Sequence, residues 1–149
     1  MNATLLRNCL SIIAVWEGNT LYAHGDGAVG IIGFQFGWRE RLHQLMGLPA
    51  KASDDDFNGA VDLDKNKARQ QQMQLGIEVL NDIYAFSCQP RGLQDFQSVL
   101  TVLDIAINNG KFNNFLGPKI TVGDEQIWTT QVCQHRISAI HHLLSLIHI

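Results

Sequence analysis

Two carboxylic acids near the start of the chain have the residue types and the setting that acid–base chemistry requires. Glu17 directly follows the apolar run 10–16, and Asp26 lies in the glycine-rich stretch that comes next. Burial at the end of an apolar helix favours the neutral form of a carboxyl group, whereas a carboxyl in a polar loop stays ionised. A neutral and an ionised carboxyl can together hydrolyse a glycosidic bond, one as general acid and the other as base or nucleophile. The structural alternative is a surface glutamate at a helix end and an ordinary Asp26-Gly27 turn.

The composition of the chain predicts one globular domain over residues 1–149. Of its 149 residues, 46% are hydrophobic and 17% are charged, which is enough for a substantial core. The net charge of −3 and the lack of a basic run argue against nucleic acid as a partner. We expect neither a membrane span nor a signal peptide, because no apolar segment is long enough to span and the N-terminus lacks a small-residue cleavage site. The atypical final residues 144–149 suggest a truncated C-terminus.

Apolar residues at helical spacing predict that most of the chain is α-helical. A first helix ends at Trp16, with Asn2 or Thr4 as its cap, and the glycine-rich segment 22–36 predicts a small hairpin or an irregular strand pair. Gln70, Gln71 and Gln72 are expected on the outside of a long helix. This mainly α (α+β) layout, with a small Gly-rich β element near its start, is typical of a lysozyme-like two-lobed fold. The other predicted helices cover residues 38–46, 64–87, 93–108 and 124 onward, with an acidic loop at 50–59 and a second loop at 111–123.

Asp104 is a charged residue inside the most apolar predicted helix. A buried charge is costly unless it is paired, and the long cations in the later segments include Lys119 and Arg136. An Asp104–Arg136 ion pair that only holds the fold is therefore one interpretation.

Other patterns that can bind metals or ligands are incomplete. Residues 54–59 begin like a calcium loop, but Lys65 stands where the bidentate glutamate is needed, so we expect no metal. The histidines (His135, His141, His142 and His148) are expected on the surface. The three cysteines (Cys9, Cys88 and Cys133) are expected to be reduced and mostly buried, although one disulfide stays open as an alternative. The aromatic residues are expected mainly in the core, with one or two lining a sugar cleft: Trp16, Phe34, Phe36, Trp38 and Trp128.

Several short motifs follow one another in an order that a known family shares. They are Glu17-Gly18, Gly25-Asp26-Gly27 with Gly30-Ile31-Ile32-Gly33-Phe34, Gly92-Leu93 with Leu103-Asp104-Ile105-Ala106, Asn109-Gly110, and Gly123-Asp124-Glu125 with Arg136. This series, over about residues 9–140, resembles the family-46 chitosanases of the lysozyme superfamily. The chain departs from the family by being about three residues shorter between Asp26 and Gly30. Ala28 falls where the family has the threonine that positions the attacking water.

The resemblance implies an endo-acting, inverting hydrolase of a β-1,4-linked, glucosamine-rich polysaccharide. It makes Glu17 the acid and Asp26 the residue that activates water, with Asp104 and Arg136 orienting the acid. No cofactor is implied, extracellular action is expected, and we expect a monomer. We assign substrate binding to residues in and beside the glycine-rich stretch: Tyr22, His24, Gly33 and Gln35.

Two further functions stay open. The first is a peptidoglycan muramidase such as a phage lysin, although a net negative protein gains nothing near an anionic cell wall. The second, which the missing threonine motivates, is a catalytically inactive carbohydrate-binding or effector domain.

Overall fold

The computed structural model describes residues 3–109 and 115–147 and is mainly helical, as predicted. The predicted cap Asn2, the motif residue Gly110, residues 111–114 of the predicted loop, and His148 lie outside these residues. The chain divides into an N-terminal unit, Met1–Asn81, and a C-terminal unit, Asp82–Ile149, and the single domain over 1–149 stays a prediction. The α-helices of the described residues are α1 (Ala3–Trp16), α2 (Phe36–Leu45), α3 (Asp54–Leu63), α4 (Lys65–Ile83), α5 (Phe96–Asn109) and α6 (Glu125–Ile147).

The core of the N-terminal unit forms where α1 packs directly against α4. A Cβ atom on Gly76 would lie only 2.8 Å from Cδ1 of the fully buried Leu10, so only glycine allows this approach. Further large side chains from α1 and α4, from α2 and α3 and from the glycine-rich segment complete the core: Ile13, Ile31, Leu42, Phe57 and Leu80.

The predicted acidic loop at 50–59 is wrong from Asp54 onward, because α3 begins there. The Ser53 hydroxyl caps the helix by accepting a hydrogen bond of 3.1 Å from the Asp56 amide. Three aspartates in the first turn also interact favourably with the positive end of the helix dipole. The carboxylates that look like a calcium loop therefore start a helix. Among the described residues, no group of three or more His, Cys, Asp or Glu side chains could hold a metal ion.

Residues 17–35, called the glycine-rich segment below, contain turns and isolated bridges. The sequence predicts a hairpin or strand pair over residues 22–36 of this region. Its backbone forms two single antiparallel bridges, Ala23 with Val29 and Val29 with Phe34. In the part of the chain that the structure describes, these bridges are not extended into strands. The segment therefore depends on side chains for much of its shape.

The long predicted helix 64–87 ends earlier than its apolar pattern suggests. Helix α4 stops at Ile83 and continues as a π-helical turn, Tyr84–Cys88, and a 3₁₀ turn, Gln89–Arg91, which Gly92 ends with a φ of +68°. The prediction that Gln72 lies outside is wrong, because its side chain is fully buried.

The three cysteines form no disulfide. Cys9 and Cys88 are buried as expected, whereas Cys133 is exposed. Burial raises the pKa of the Cys9 thiol to about 11, which keeps it protonated at neutral pH.

The C-terminal unit buries one face of α5 and only a small part of α6. Val99, Leu103 and Ile105 of α5 are fully buried, and Val132 of α6 is almost so. Beyond Val132, the apolar side chains of Ile137 and Ile140 on α6 are exposed. No helix among residues 3–109 and 115–147 combines the length and hydropathy needed to cross a membrane.

Glu125, at the start of α6, caps the N-terminus of α5. Its carboxylate accepts hydrogen bonds from the backbone amides of Gln94 and Asp95, at 2.9 and 2.8 Å, and from the Ser98 hydroxyl. Burial alone would raise the pKa of Glu125, but these hydrogen bonds outweigh burial and lower it below the usual 4.5. A carboxyl with a lowered folded-state pKa stabilises the fold above its unfolded pKa, and that stabilisation is lost as the pH falls through the folded value.

We expect Glu125→Gln to lower the free energy of unfolding by about 1–2 kcal/mol at pH 7. The difference from the wild type should shrink as the pH falls below 4.5, because the wild-type carboxylate is then protonated as well. Urea unfolding between pH 3 and pH 7 measures both effects. Asp124→Asn is the matched control, because asparagine caps a helix about as well as aspartate. A constant difference across this pH range would contradict the prediction.

Candidate functional site

The backbone at the end of α1 fixes the position of Glu17. The Asn19 amide donates to the Ala14 carbonyl at 2.7 Å, and the Gly18 amide donates to Val15 at 3.1 Å. These are the two bonds of a Schellman motif, which needs a left-handed residue after the cap. Gly18 meets this need with a φ of +93°. Glu17 is therefore the C-cap residue of α1, and it is half-buried.

Asp26 lies in a tight turn that its own carboxylate holds. Its Oδ1 accepts a hydrogen bond of 3.0 Å from the Ala28 amide, and the residue is exposed. Arg39 of α2 also stabilises this turn, because its Nη1 donates a hydrogen bond to the Gly27 carbonyl at 2.8 Å. The other end of that guanidinium pairs with Asp54 of α3 at 2.6 Å. The turn is thereby tied to two helices while the Asp26 side chain stays open to solvent.

The Glu17 carboxyl group and the loop that carries Asp26 meet at Gly33. A Cβ atom built on Gly33 would lie 4.0 Å from Oε2 of Glu17 and 3.7 Å from both Cε1 of His24 and Cβ of Ala28. Gly33 has a φ of +68°, which L side chains rarely adopt. The absence of a side chain at Gly33 leaves space directly beside the carboxyl group.

The residues assigned to substrate binding lie in or beside this loop, but two of them already have partners. The Tyr22 hydroxyl donates to Asp62 of α3 at 2.7 Å. The His24 Nε2 lies 2.8 Å from the Gly30 carbonyl oxygen. Gln35 is exposed and precedes α2 without a capping side-chain bond. Tyr22 and His24 thus hold the loop, whereas Gly33 and Gln35 leave room beside it.

Two aromatic side chains expected mainly in the core are exposed, one on each side of the glycine-rich stretch in the sequence. Trp16, directly before Glu17, is 58% exposed, and Phe36, three residues after Gly33, is 86% exposed. Phe36 also has a φ of +49°, a costly conformation for a bulky residue. Such strain at an exposed ring suggests a role outside folding.

Sequence reasoning missed three side chains that hold the loop from the helices around it. Besides Arg39, Asn58 of α3 accepts a hydrogen bond of 2.9 Å from the Ala23 amide. Gln72 of α4 hydrogen-bonds the backbone of Leu21 and Ile31, which are the two ends of the loop that carries Asp26. These contacts join residues 12 to 51 positions apart, so no local spacing signals them.

Asp104 and Arg136 form an ion pair in the C-terminal unit. Arg136 Nη1 lies 3.0 Å from Asp104 Oδ2, and the two side chains are 28% and 18% exposed. The Asn108 amide also donates to Asp104 Oδ1 at 3.0 Å. Lys119, the other cation considered, lies 3.0 Å above the Phe86 ring instead. The extension of this pair to Glu17, which belongs to the N-terminal unit, stays a prediction.

No protein-family model matches the chain, and neither curated proteins nor solved structures give a significant match.

We expect Asp104→Ala and Arg136→Ala each to lower the free energy of unfolding by about 1–3 kcal/mol, because each leaves a half-buried charged partner unpaired. Thermal and urea unfolding of both variants and of the double variant measure the coupling. Asp55→Ala, at the start of α3, is the control and should cost at most about 1 kcal/mol through the helix dipole. If both single variants melted at the wild-type temperature, the ion pair would not stabilise the fold.

Proposed function

We propose that the protein is an endo-acting glycoside hydrolase that cleaves β-1,4-linked, glucosamine-rich polysaccharide, as the resemblance to family-46 chitosanases implies. The observation that carries the proposal is the approach of the Glu17 carboxyl group to Gly33, within the loop that bears Asp26. The proposed fold is lysozyme-like and two-lobed, with a small Gly-rich β element. The two single bridges of the loop support that element.

In the proposed mechanism, Glu17 protonates the oxygen of the leaving sugar. Its half-buried position at the end of α1, close to Gly33, supports this role. Asp26, which is exposed, activates a water molecule on the opposite face of the ring. The configuration is inverted if the carboxyl groups stand about 6.5–9.5 Å apart, which leaves room for that water. Asp104 and Arg136 are proposed to orient the acid.

Charge and exposed aromatic rings support a cationic sugar polymer as the substrate. The net charge of −3 at pH 7 favours a polymer that carries positive amino groups over an anionic one near neutral pH. Pyranose rings stack on exposed aromatic faces, and Trp16, directly before Glu17, and Phe36, three residues after Gly33, supply such faces. Peptidoglycan is the alternative substrate.

The environment of Ala28 favours a second candidate function, an inactive carbohydrate-binding domain. The Ala28 side chain is buried beside Gly33 and offers no hydroxyl group at the position where the resemblance calls for a threonine. Another group would then have to position the attacking water, or hydrolysis would not occur.

We expect Glu17→Gln and Asp26→Asn each to lower the rate of chitosan hydrolysis by about 10²–10⁴-fold, because each removes a proton-transfer group at nearly constant shape. Asp55→Asn, an exposed acid in α3, is the matched control and should keep the wild-type rate. Reducing-sugar release measures the rate, and proton NMR of the first product gives its anomeric configuration. Retention of more than about a tenth of the rate, or the β-anomer as first product, would contradict these roles.

The wild-type protein distinguishes the candidate functions in two parallel assays. Reducing-sugar release from chitosan supports the proposal, whereas turbidity loss on bacterial cell walls alone identifies a muramidase. Binding of chitosan oligosaccharides without hydrolysis identifies a carbohydrate-binding domain.

We expect Phe36→Gly to raise the melting temperature and at the same time weaken substrate binding. Glycine adopts a positive φ without the cost that a side chain imposes, and the exposed ring contributes little to the core. Loss of a stacking contact worth about 0.5–1.5 kcal/mol should raise KM about 2- to 13-fold with kcat unchanged. Leu63→Ala, at a side chain 88% exposed in α3, is the control. An unchanged KM would exclude Phe36 from the binding surface.

A further inference from the structure

The Gln72 side chain is a buried amide that joins both ends of the Asp26 loop to helix α4. Its Nε2 donates to the Leu21 carbonyl at 2.8 Å, and its Oε1 accepts from the Ile31 amide at 3.0 Å. The residue is fully buried. Because one bond needs a donor and the other an acceptor, the orientation of the amide is determined by its partners.

The backbone of the loop at Gly30 also lies in close contact with this amide. A Cβ atom on Gly30 would lie 2.8 Å from Oε1 and 3.0 Å from Cδ of Gln72. The amide cannot move aside without breaking one of its two buried bonds, which would leave a buried polar group unpaired. Gln72 therefore fixes the loop in three ways: one bond at each end, and close contact at Gly30.

The two bonded positions enclose the residues on which the proposed reaction depends. Asp26 lies between Leu21 and Ile31. Gly33, where a Cβ atom would lie 4.0 Å from Oε2 of Glu17, follows Ile31 by two residues. Movement of Ile31 away from α4 would therefore change the position of Asp26 relative to Glu17.

We propose that Gln72 is a positioning residue that sets the geometry of Asp26 and Gly33 relative to Glu17. This inference rests on the proposed function for its catalytic consequence, but its structural content is testable without activity. Gln72 touches neither carboxyl group and acts only through the loop backbone.

The adjacent Gln71 provides a matched control on the same helix. Its Nε2 donates to the Leu45 carbonyl at 2.8 Å, at the end of α2 and outside the loop. Gln71→Met and Gln72→Met thus remove the same chemical group from neighbouring positions, at nearly constant volume.

The test combines chitosan kinetics with hydrogen exchange of the Ile31 amide, measured by NMR well below the melting temperature of each variant. We expect Gln72→Met to lower kcat about 10- to 100-fold, since small misplacements of reacting groups have effects of this size, with little change in KM. The Ile31 amide should lose protection, and the resonances of Gly33 and Glu17 should shift. Gln71→Met should leave all these properties unchanged.

A second variant keeps the proposal testable if Gln72→Met does not fold. In Gln72→Glu, the ionised carboxylate repels the Leu21 carbonyl, whereas the protonated carboxyl again offers one donor and one acceptor. The ratio of its rate to the wild-type rate should therefore rise as the pH falls, together with the protection of Ile31.

The outcomes separate the inference from the proposed function. Unchanged exchange of Ile31 in Gln72→Met, or lost protection with a wild-type kcat, would overturn the positioning role. A wild-type protein that does not hydrolyse chitosan would overturn the proposed function. In that case, the exchange and the Gly33 and Glu17 resonances still decide whether Gln72 holds the loop.

Discussion

The N-terminal unit depends on satisfying the backbone of a buried segment that has no strands. Val29, Ile31 and Ile32 are buried, yet the described part of segment 17–35 forms only single bridges. Buried N–H and C=O groups must be paired, because an unpaired one costs about as much as a lost hydrogen bond. The Phe34 backbone pairs both polar groups of Val29, and side chains from the neighbouring helices supply further partners, such as Gln72 for the Ile31 amide. The helices and the glycine-rich segment therefore stabilise each other.

Each of three helices contributes one polar side chain that hydrogen-bonds the loop backbone. Arg39 comes from α2, Asn58 from α3 and Gln72 from α4, and each bonds a different part of the loop backbone. A glycine-rich chain loses more conformational entropy on folding than other sequences do. Fixing it from several rigid helices is therefore an effective way to hold exposed groups such as Asp26 in a defined place.

Patterns that depend on neighbouring residues were predicted well from the sequence. The apolar spacing predicted α1, α2 and α5, and the cost of a buried charge predicted the pairing of Asp104 with Arg136. Helix α3 was missed because only Phe57 and Val61 of its ten residues are buried, so its apolar period is short and its aspartates resemble a loop.

Patterns that depend on distant residues were not predictable in this way. Gln70, Gln71 and Gln72 are chemically identical, and only the contacts of Gln72 with residues 41 and 51 positions away distinguish it. The same limit applies to the candidate site. The sequence identified Glu17 and Asp26 as chemically suitable, but the approach of Glu17 to Gly33 depends on the path of the backbone, which local spacing does not determine.

The close contact of Gly30 with Gln72 also constrains how this sequence can diverge. A side chain at position 30 would collide with the amide, and a shorter residue at position 72 would leave the Ile31 amide and the Leu21 carbonyl without partners. Neither position can change alone without loss, so the two should covary among related sequences. A chain that carries a larger residue at position 30 should carry a shorter one at 72, together with some other group that pairs the two backbone positions.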